Sequence, residues 1–163
     1  MTFEHSHQIN EFEVFASSKG SQFKFSPMSN CVGLTLHGRG RDGSQVHIAV
    51  HGTLLTPMAT LQNEPLTQAY RRSNLKKMRE IRAQFAEQLK GQGEGKVSYR
   101  KLRAPCAQHL AGLVLHAINH FDVSGPISVR QIFGTSPSNE NITAMGETLA
   151  LLKKSRHEFI NKQ

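Results

Sequence analysis

The chain has 163 residues, of which 37% are hydrophobic and 20% are charged, and its formal net charge at neutral pH is +8. This composition fits one globular domain with a hydrophobic core, and no apolar run is long enough to span a bilayer. The polar N-terminus lacks the plan of a signal peptide, and two widely separated cysteines exclude a disulfide framework and the known zinc motifs.

Alternating apolar residues predict strands in the first third of the chain. Residues 1–20 have the composition of a flexible N-terminal lead-in, and residues 22–25 alternate as a short strand does. Two longer alternating runs, 31–37 and 46–51, are separated by the glycine-rich segment 38–44, which is typical of a chain reversal. We therefore predict a β-hairpin over residues 31–51.

Helices dominate the prediction for the rest of the chain. Residues 65–90 have apolar side chains at steps of three or four, which predicts an amphipathic helix. A mostly apolar helix over 105–121 follows, with Pro105 at its start, then a strand over 126–133 and a last helix over 141–154. This order predicts an α+β layered fold: a single domain over 21–163, with a central mixed sheet flanked by helices.

The positive charge is concentrated in residues 71–103. This segment holds eleven of the twenty basic side chains and only three of the twelve acidic ones. Such a localised charge faces an anionic partner or forms a solvated outer face. No helix-turn-helix, RNA-binding or zinc-finger motif accompanies it, so an acidic protein surface is favoured over nucleic acid. The side chains that we expect to contact the partner are Arg71, Arg72, Lys76, Lys77, Arg79 and Arg82.

The hairpin brings a thiol and histidines to one face of a sheet. Side chains alternate along a strand, so turning the valines, leucines and isoleucine of both runs toward the core leaves Cys31, His47 and His51 on the opposite face. An ordinary thiol has a pKa near ~8.5, and a neighbouring imidazole can accept its proton, which activates the sulfur for attack on a carbonyl. A symmetric turn near Arg41 sets Cys31 against His51, whereas a tighter or bulged turn favours His47.

Cys106 is an alternative nucleophile. It follows Pro105 at the predicted start of a helix, where the helix dipole lowers the pKa of a thiol, and His109 is one turn further on. The apolar stripe that contains Cys106 also fits a buried packing position.

Two blocks of sequence resemble the CheD-type protein-glutamine deamidases. Ser29-Asn-Cys-Val-Gly-Leu-Thr-Leu36 with Val46-His-Ile-Ala-Val50 is similar to the strand-turn-strand signature of that family. Val129-Arg-Gln-Ile-Phe-Gly134 and the helix after it are similar to the family's strand end and following helix. The two blocks occur in the same order and cover roughly half of the chain. The resemblance implies a CheD-like fold, with the basic helical segment of about 55–103 as an insertion.

The resemblance also implies roles for individual residues. Cys31 matches the nucleophile, and His47 matches the base if the turn here is one residue shorter than in the family. His51 is then a bystander or a contact on the substrate side. The family's orienting threonine falls at Phe25, with Ser26 one position off, and Asn30 replaces the serine before the nucleophile.

The expected function is therefore conversion of a glutamine side chain to glutamate in a target protein, with no metal or cofactor. Transglutamination uses the same chemistry and is not separated from it by sequence. Deamidating toxins such as cytotoxic necrotizing factor and Burkholderia lethal factor have a similar Cys-His core, which implies an exported effector. We expect a cytoplasmic protein, or one that enters a host cell without a signal peptide. The alternative function is binding of nucleic acid or an acidic protein through residues 71–103.

Overall fold

The structure is a computed structural model. It describes residues 6–9, 14–17, 22–25, 28, 31–52 and 99–162, together with the single positions 76, 79, 80, 83 and 87. The described part has an α+β architecture, in which two helices pack against a mixed β-sheet.

Five strands form the main sheet and two form a small separate one. The strands are β1 (Ser6–Ile9), β2 (Val14–Ser17), β3 (Gln22–Phe25), β4 (Val32–Arg39), β5 (Gln45–Gly52), β6 (Ser124–Phe133) and β7 (Phe159–Asn161). The main sheet has the order β2-β5-β4-β6-β7. Its pairings are antiparallel except for β6 with β7, which are parallel. Strands β1 and β3 pair in parallel as the second sheet.

Two helices supply the second layer: α1 (Tyr99–His120) and α2 (Asn139–Lys153). Their buried side chains share one hydrophobic core with the inner faces of β4, β5 and β6. An ion pair also joins the two helices: Arg103 Nε on α1 lies 2.6 Å from Glu147 Oε1 on α2. Neither of these helices is long and apolar enough to cross a membrane.

The hydrophobic pattern of the hairpin predicts the core correctly. Val32, Leu34 and Leu36 of β4 are at most 1% exposed, and they share the core with Val46, Ile48 and Val50 of β5. The predicted strand at residues 22–25, the hairpin, the strand near 126–133 and the last helix are confirmed, with small changes at their ends. The predicted mixed sheet is confirmed as well.

Two predictions near the ends of the chain are wrong. Residues 1–20 are not only a lead-in, because β1 lies there and β2 forms an edge of the main sheet. The last helix is not the final element, since β7 adds to the other edge. These short strands lack the alternation that identified residues 22–25: β1 is mostly polar, and β2 and β7 each begin with consecutive apolar residues.

Two helix starts also differ from the prediction. Helix α1 begins at Tyr99, so Pro105 lies in its second turn rather than at its start. Proline signals a helix start because it lacks an N–H, yet here the helix continues from Tyr99 through Pro105. Helix α2 begins at Asn139, because Ser138 acts as its N-cap and its hydroxyl accepts the Asn141 N–H at 3.2 Å.

Gly38 on β4 and Gly146 on α2 give a matched test of how closely the elements of the fold pack. A methyl group at Gly38 would collide with the Val123 side chain, whereas one at Gly146, in the exposed part of α2, meets nothing within 4 Å. We expect Gly38→Ala to lower the free energy of unfolding by about 1–3 kcal/mol. We expect Gly146→Ala to raise it by about 0.5–1 kcal/mol, because alanine has the higher helix propensity. Urea unfolding followed by circular dichroism measures both, and an equal effect of the two substitutions would contradict this packing.

Candidate functional site

The turn of the β4–β5 hairpin fixes which residues face each other. Gly40 N–H donates to Ser44 O at 2.8 Å, and Gly43 has a φ of 81°, a backbone conformation that glycine adopts readily. The Asp42 carboxylate accepts the Ser44 N–H at 2.9 Å and so holds the loop closed. From this turn the strands pair as Arg39 with Gln45 through to Val32 with Gly52.

Cys31 lies at the end of the hairpin that is remote from the turn. Its carbonyl accepts the Gly134 N–H at 3.1 Å, which continues the β4–β6 ladder by one residue beyond Val32. The side chain is a thiol and is 4% exposed. The loop after β6 is tied to the same place, since Thr135 N–H donates to Met28 O at 3.2 Å. Cys31 is therefore fixed by the backbone of two neighbouring segments.

His51 is the hairpin histidine nearer to Cys31. It lies directly opposite Gly33, which is two positions along from Cys31 on the same face. This makes Cys31 and His51 a diagonal cross-strand pair by backbone register, and such pairs have Cα atoms about 7–8 Å apart.

His47 lies at the other end of the same face. It is directly opposite His37, and the two imidazole rings are in edge contact with centroids 4.3 Å apart. Since His37 is six residues from Cys31 along β4, His47 is about 20 Å from the thiol. The predicted Cys31/His47 pair is therefore wrong. The physical reason is the register: Val32 pairs with Gly52, so Cys31 lies one residue beyond that pair and directly opposite neither His47 nor His51.

The pKa of His37 is lowered from its ordinary value by partial burial, then by the nearby His47 and Lys162. The sequence prediction gave no role to His37 or Lys162. The available signal was the symmetry of His37 and His47 about the turn. Lys162 follows β7, so its place beside the hairpin depends on a strand that the pattern did not identify.

The alternative nucleophile loses its main support. Cys106 lies seven residues after the first residue of α1, about two turns into the helix, so it is not at the helix N-terminus. The dipole effect on a thiol falls off within the first turn. His109, its predicted neighbour, is 2% exposed.

Several predicted site residues lie outside the described part of the chain. Ser26, Asn30, Arg71, Arg72, Lys77 and Arg82 belong to this group. In the basic segment, the described helical positions 76, 79, 80, 83 and 87 are all exposed. They include Lys76 and Arg79 but also Glu80 and Glu87, so the described part of this face has mixed charge. Among the described residues, no group of three or more His, Cys, Asp or Glu is arranged to hold a metal ion.

No protein-family model, curated protein or solved structure shows significant similarity to this chain.

The contact between the two hairpin histidines leads to a testable pKa difference. Replacing His47 by glutamine removes one of the causes that lower the pKa of His37, so this pKa should rise toward 6.5 while burial and Lys162 keep it below that value. Proton NMR titration of the imidazole resonances measures the change. His157→Gln is the matched control, because His157 lies in a cleft with Asn119 and Arg156 and should leave His37 unchanged. An unchanged His37 pKa in His47→Gln would contradict the observed ring contact.

Proposed function

We propose that this protein is a protein-glutamine deamidase in which Cys31 is the nucleophile and His51 is the general base. The support is the hairpin register, in which His51 and Cys31 share a face one diagonal step apart. A thiol with an imidazole on the neighbouring strand is the minimum equipment for nucleophilic attack on an amide. His47, which the family resemblance favours as the base, is too far along the strand to exchange a proton with Cys31.

The reaction follows from these two groups. His51 accepts the thiol proton, and the thiolate attacks the side-chain carboxamide carbon of the target glutamine to form a C–S bond. The imidazolium then protonates the amide nitrogen, which leaves as ammonia when the C–N bond breaks. Water, deprotonated by His51, attacks the resulting thioester. The C–S bond breaks, glutamate is formed and the thiol is regenerated.

The fold is compatible with this proposal. The two-layer α+β arrangement has a central mixed sheet, a hairpin that bears the thiol, and the long helix α1 packed against the core. We propose that it is a CheD-like fold, remodelled as in the deamidating toxins. Ser26 and Asn30 are the proposed supporting residues, because the resemblance puts Ser26 next to the position of the orienting threonine and Asn30 at the position of the serine before the nucleophile.

The burial of Cys31 restricts the substrate. At 4% exposure the thiol is not open to a folded protein surface, so the target glutamine must be presented on a segment that displaces part of what covers it. A flexible loop of the target protein satisfies this requirement. A small primary amine can enter the same opened site in place of water, which would give transglutamination from the same thioester.

The alternative function is binding through residues 71–103, which hold eleven basic and three acidic side chains. The exposed positions described there include two basic and two acidic side chains, so the described part of the segment does not add support for a nucleic-acid surface. Arg103, another basic residue of this segment, is engaged by Glu147 within the fold. We therefore keep deamidation of a target with an acidic surface, in the cytoplasm or in a host cell, as the proposed function.

Substitution of Cys31, His51 and His47, one at a time, tests the proposal directly. Lysates and synthetic glutamine-containing peptides are incubated with each variant, and peptide mass spectrometry detects conversion of glutamine to glutamate. We expect no conversion with Cys31→Ser, because the nucleophile is gone. His51→Ala should lower the rate about 10²–10⁴-fold, as loss of a general base does.

His47→Ala is the matched control for His51→Ala, since both remove an imidazole from the same strand face. It should keep the wild-type rate within about twofold, because His47 is about 20 Å along the strand from the reacting atoms. Conversion that persists in Cys31→Ser, or that depends on His47 and not on His51, would contradict the proposed site. An absence of conversion by the wild type in every lysate would favour the binding function.

A further inference from the structure

One row of side chains crosses the outer face of the sheet at the turn end of the hairpin. His47 of β5 pairs with His37 of β4, which pairs with Ser128 of β6, which pairs with Ile160 of β7. Lys162 follows β7 and acts electrostatically on His37. We call these five residues the histidine surface. With strands about 4.8 Å apart, the row is about 14 Å wide.

The histidine surface is partly exposed and is bordered by basic side chains. His37 and Lys162 are exposed, and His47 is half-buried. Three groups face His37: His47 from β5, Ser128 from β6 and Lys162 from the segment after β7. Arg130 lies two residues further along β6, and Arg39 lies two residues further along β4. Among the described acidic residues, Asp42 lies in the hairpin turn, and Glu158 lies before β7, at its other end from Lys162.

An exposed apolar side chain completes the row. Ile160 is 45% exposed, and it and Phe133 are the large hydrophobic side chains that the structure shows as exposed within its described residues. An apolar side chain flanked by cationic groups is typical of an interface, where a central contact excludes water and the charges at the rim select the partner.

The shape and the charge together restrict what can bind. A sheet face is flat, whereas small ligands need a concave pocket that surrounds them. A metal ion is disfavoured because Lys162 repels a cation there, and the described residues add no third ligand to the two imidazoles. A segment of another protein that has carboxylates and one apolar side chain fits both the flat surface and its charge.

We propose that the histidine surface docks an acidic segment of a partner protein, with an apolar side chain of that segment over Ile160 and its carboxylates beside His37, His47 and Lys162. The surface is about 20 Å from Cys31 along the strand, so its binding function does not depend on the chemistry of the thiol. It also uses none of the residues of the basic segment 71–103.

The interaction depends on pH with a defined sign. A bound carboxylate favours the protonated imidazole, so the pKa of His37 rises from its lowered free value when the segment binds. The segment consequently binds more tightly as the pH falls through the range below 6.5, and it is released as the pH rises. Lys162 adds an attraction to the carboxylates that is independent of the imidazoles.

The test uses the full chain and a short synthetic peptide of glutamates around one leucine, with a twin peptide in which glutamine replaces every glutamate. Calorimetry at pH 6 and pH 8 measures affinity, and imidazole NMR identifies the histidines that respond. We expect the glutamate peptide to bind at least about fivefold more tightly at pH 6 than at pH 8. The glutamine peptide should show no such difference.

Matched variants locate the site. His37→Gln with His47→Gln should abolish the pH dependence, and Lys162→Gln should weaken binding about threefold at both pH values. His157→Gln and Arg156→Gln are the controls, because these residues lie together in a separate cleft with Asn119 and should leave binding unchanged. Ile160→Ser should weaken binding of the leucine-containing peptide without altering the pKa of His37.

Three outcomes would overturn the proposal: peptide binding that is insensitive to the histidine variants, equal binding of the two peptides, or a preference for an oligonucleotide or a phosphatidylserine vesicle over the peptide. Binding is measured in Cys31→Ser as well as in the wild type. Retained binding in that variant separates this surface from the catalytic proposal, and either proposal can therefore fail alone.

Discussion

The pairing register of the β4–β5 hairpin determines which residues lie together at each end of the outer face of the sheet. The turn around Asp42 and Gly43 sets His51 beside Gly33 and His47 beside His37. At one end, a thiol and a histidine lie on neighbouring strands near the loop after β6. At the other end, two histidines meet and Lys162 joins them. A shift of the pairing by two residues would change the partners at both ends together.

Burial divides this face into two chemical environments. Near Cys31 the face is closed, with Cys31, Thr35 and Ala49 at most 9% exposed. Near the turn it is open and cationic, and Ile160 adds an apolar contact. A closed thiol site suits covalent chemistry that must exclude bulk water until it is needed, and an open charged surface suits recognition. The proposed catalysis and the proposed docking therefore use opposite ends of one β-sheet.

The period of the hydrophobic pattern explains why the buried face of each strand could be predicted, whereas the histidine nearer to Cys31 could not. Side chains on a strand alternate with a period of two, so Val32, Leu34 and Leu36 identify the buried face whatever the partner strand is doing. A slip of two residues leaves every side chain on its original face, so the pattern does not distinguish His47 from His51. Only the geometry of the turn decides between them. The resemblance to CheD-type deamidases assumed a shorter turn and so favoured His47.

The remaining differences have local physical causes. The start of α1 was misplaced because Pro105 resembles a helix start, although the helix continues through it from Tyr99. Strand β7 and the lysine after it lie in a segment of only a few residues, where alternation is not a usable signal. Lys162 reaches the hairpin only through the parallel pairing of β7 with β6, a long-range contact that local sequence does not encode.

The most direct measurement of the central claim is the rate at which iodoacetamide alkylates Cys31 at neutral pH in the wild type, His51→Ala and His47→Ala. Peptide mapping separates Cys31 from Cys106 in each reaction. A neighbouring imidazole that accepts the thiol proton predicts that Cys31 reacts faster than Cys106, and that His51→Ala slows it about tenfold while His47→Ala does not. Slow and equal labelling of both thiols, or a rate that falls with His47 and not with His51, would contradict the account.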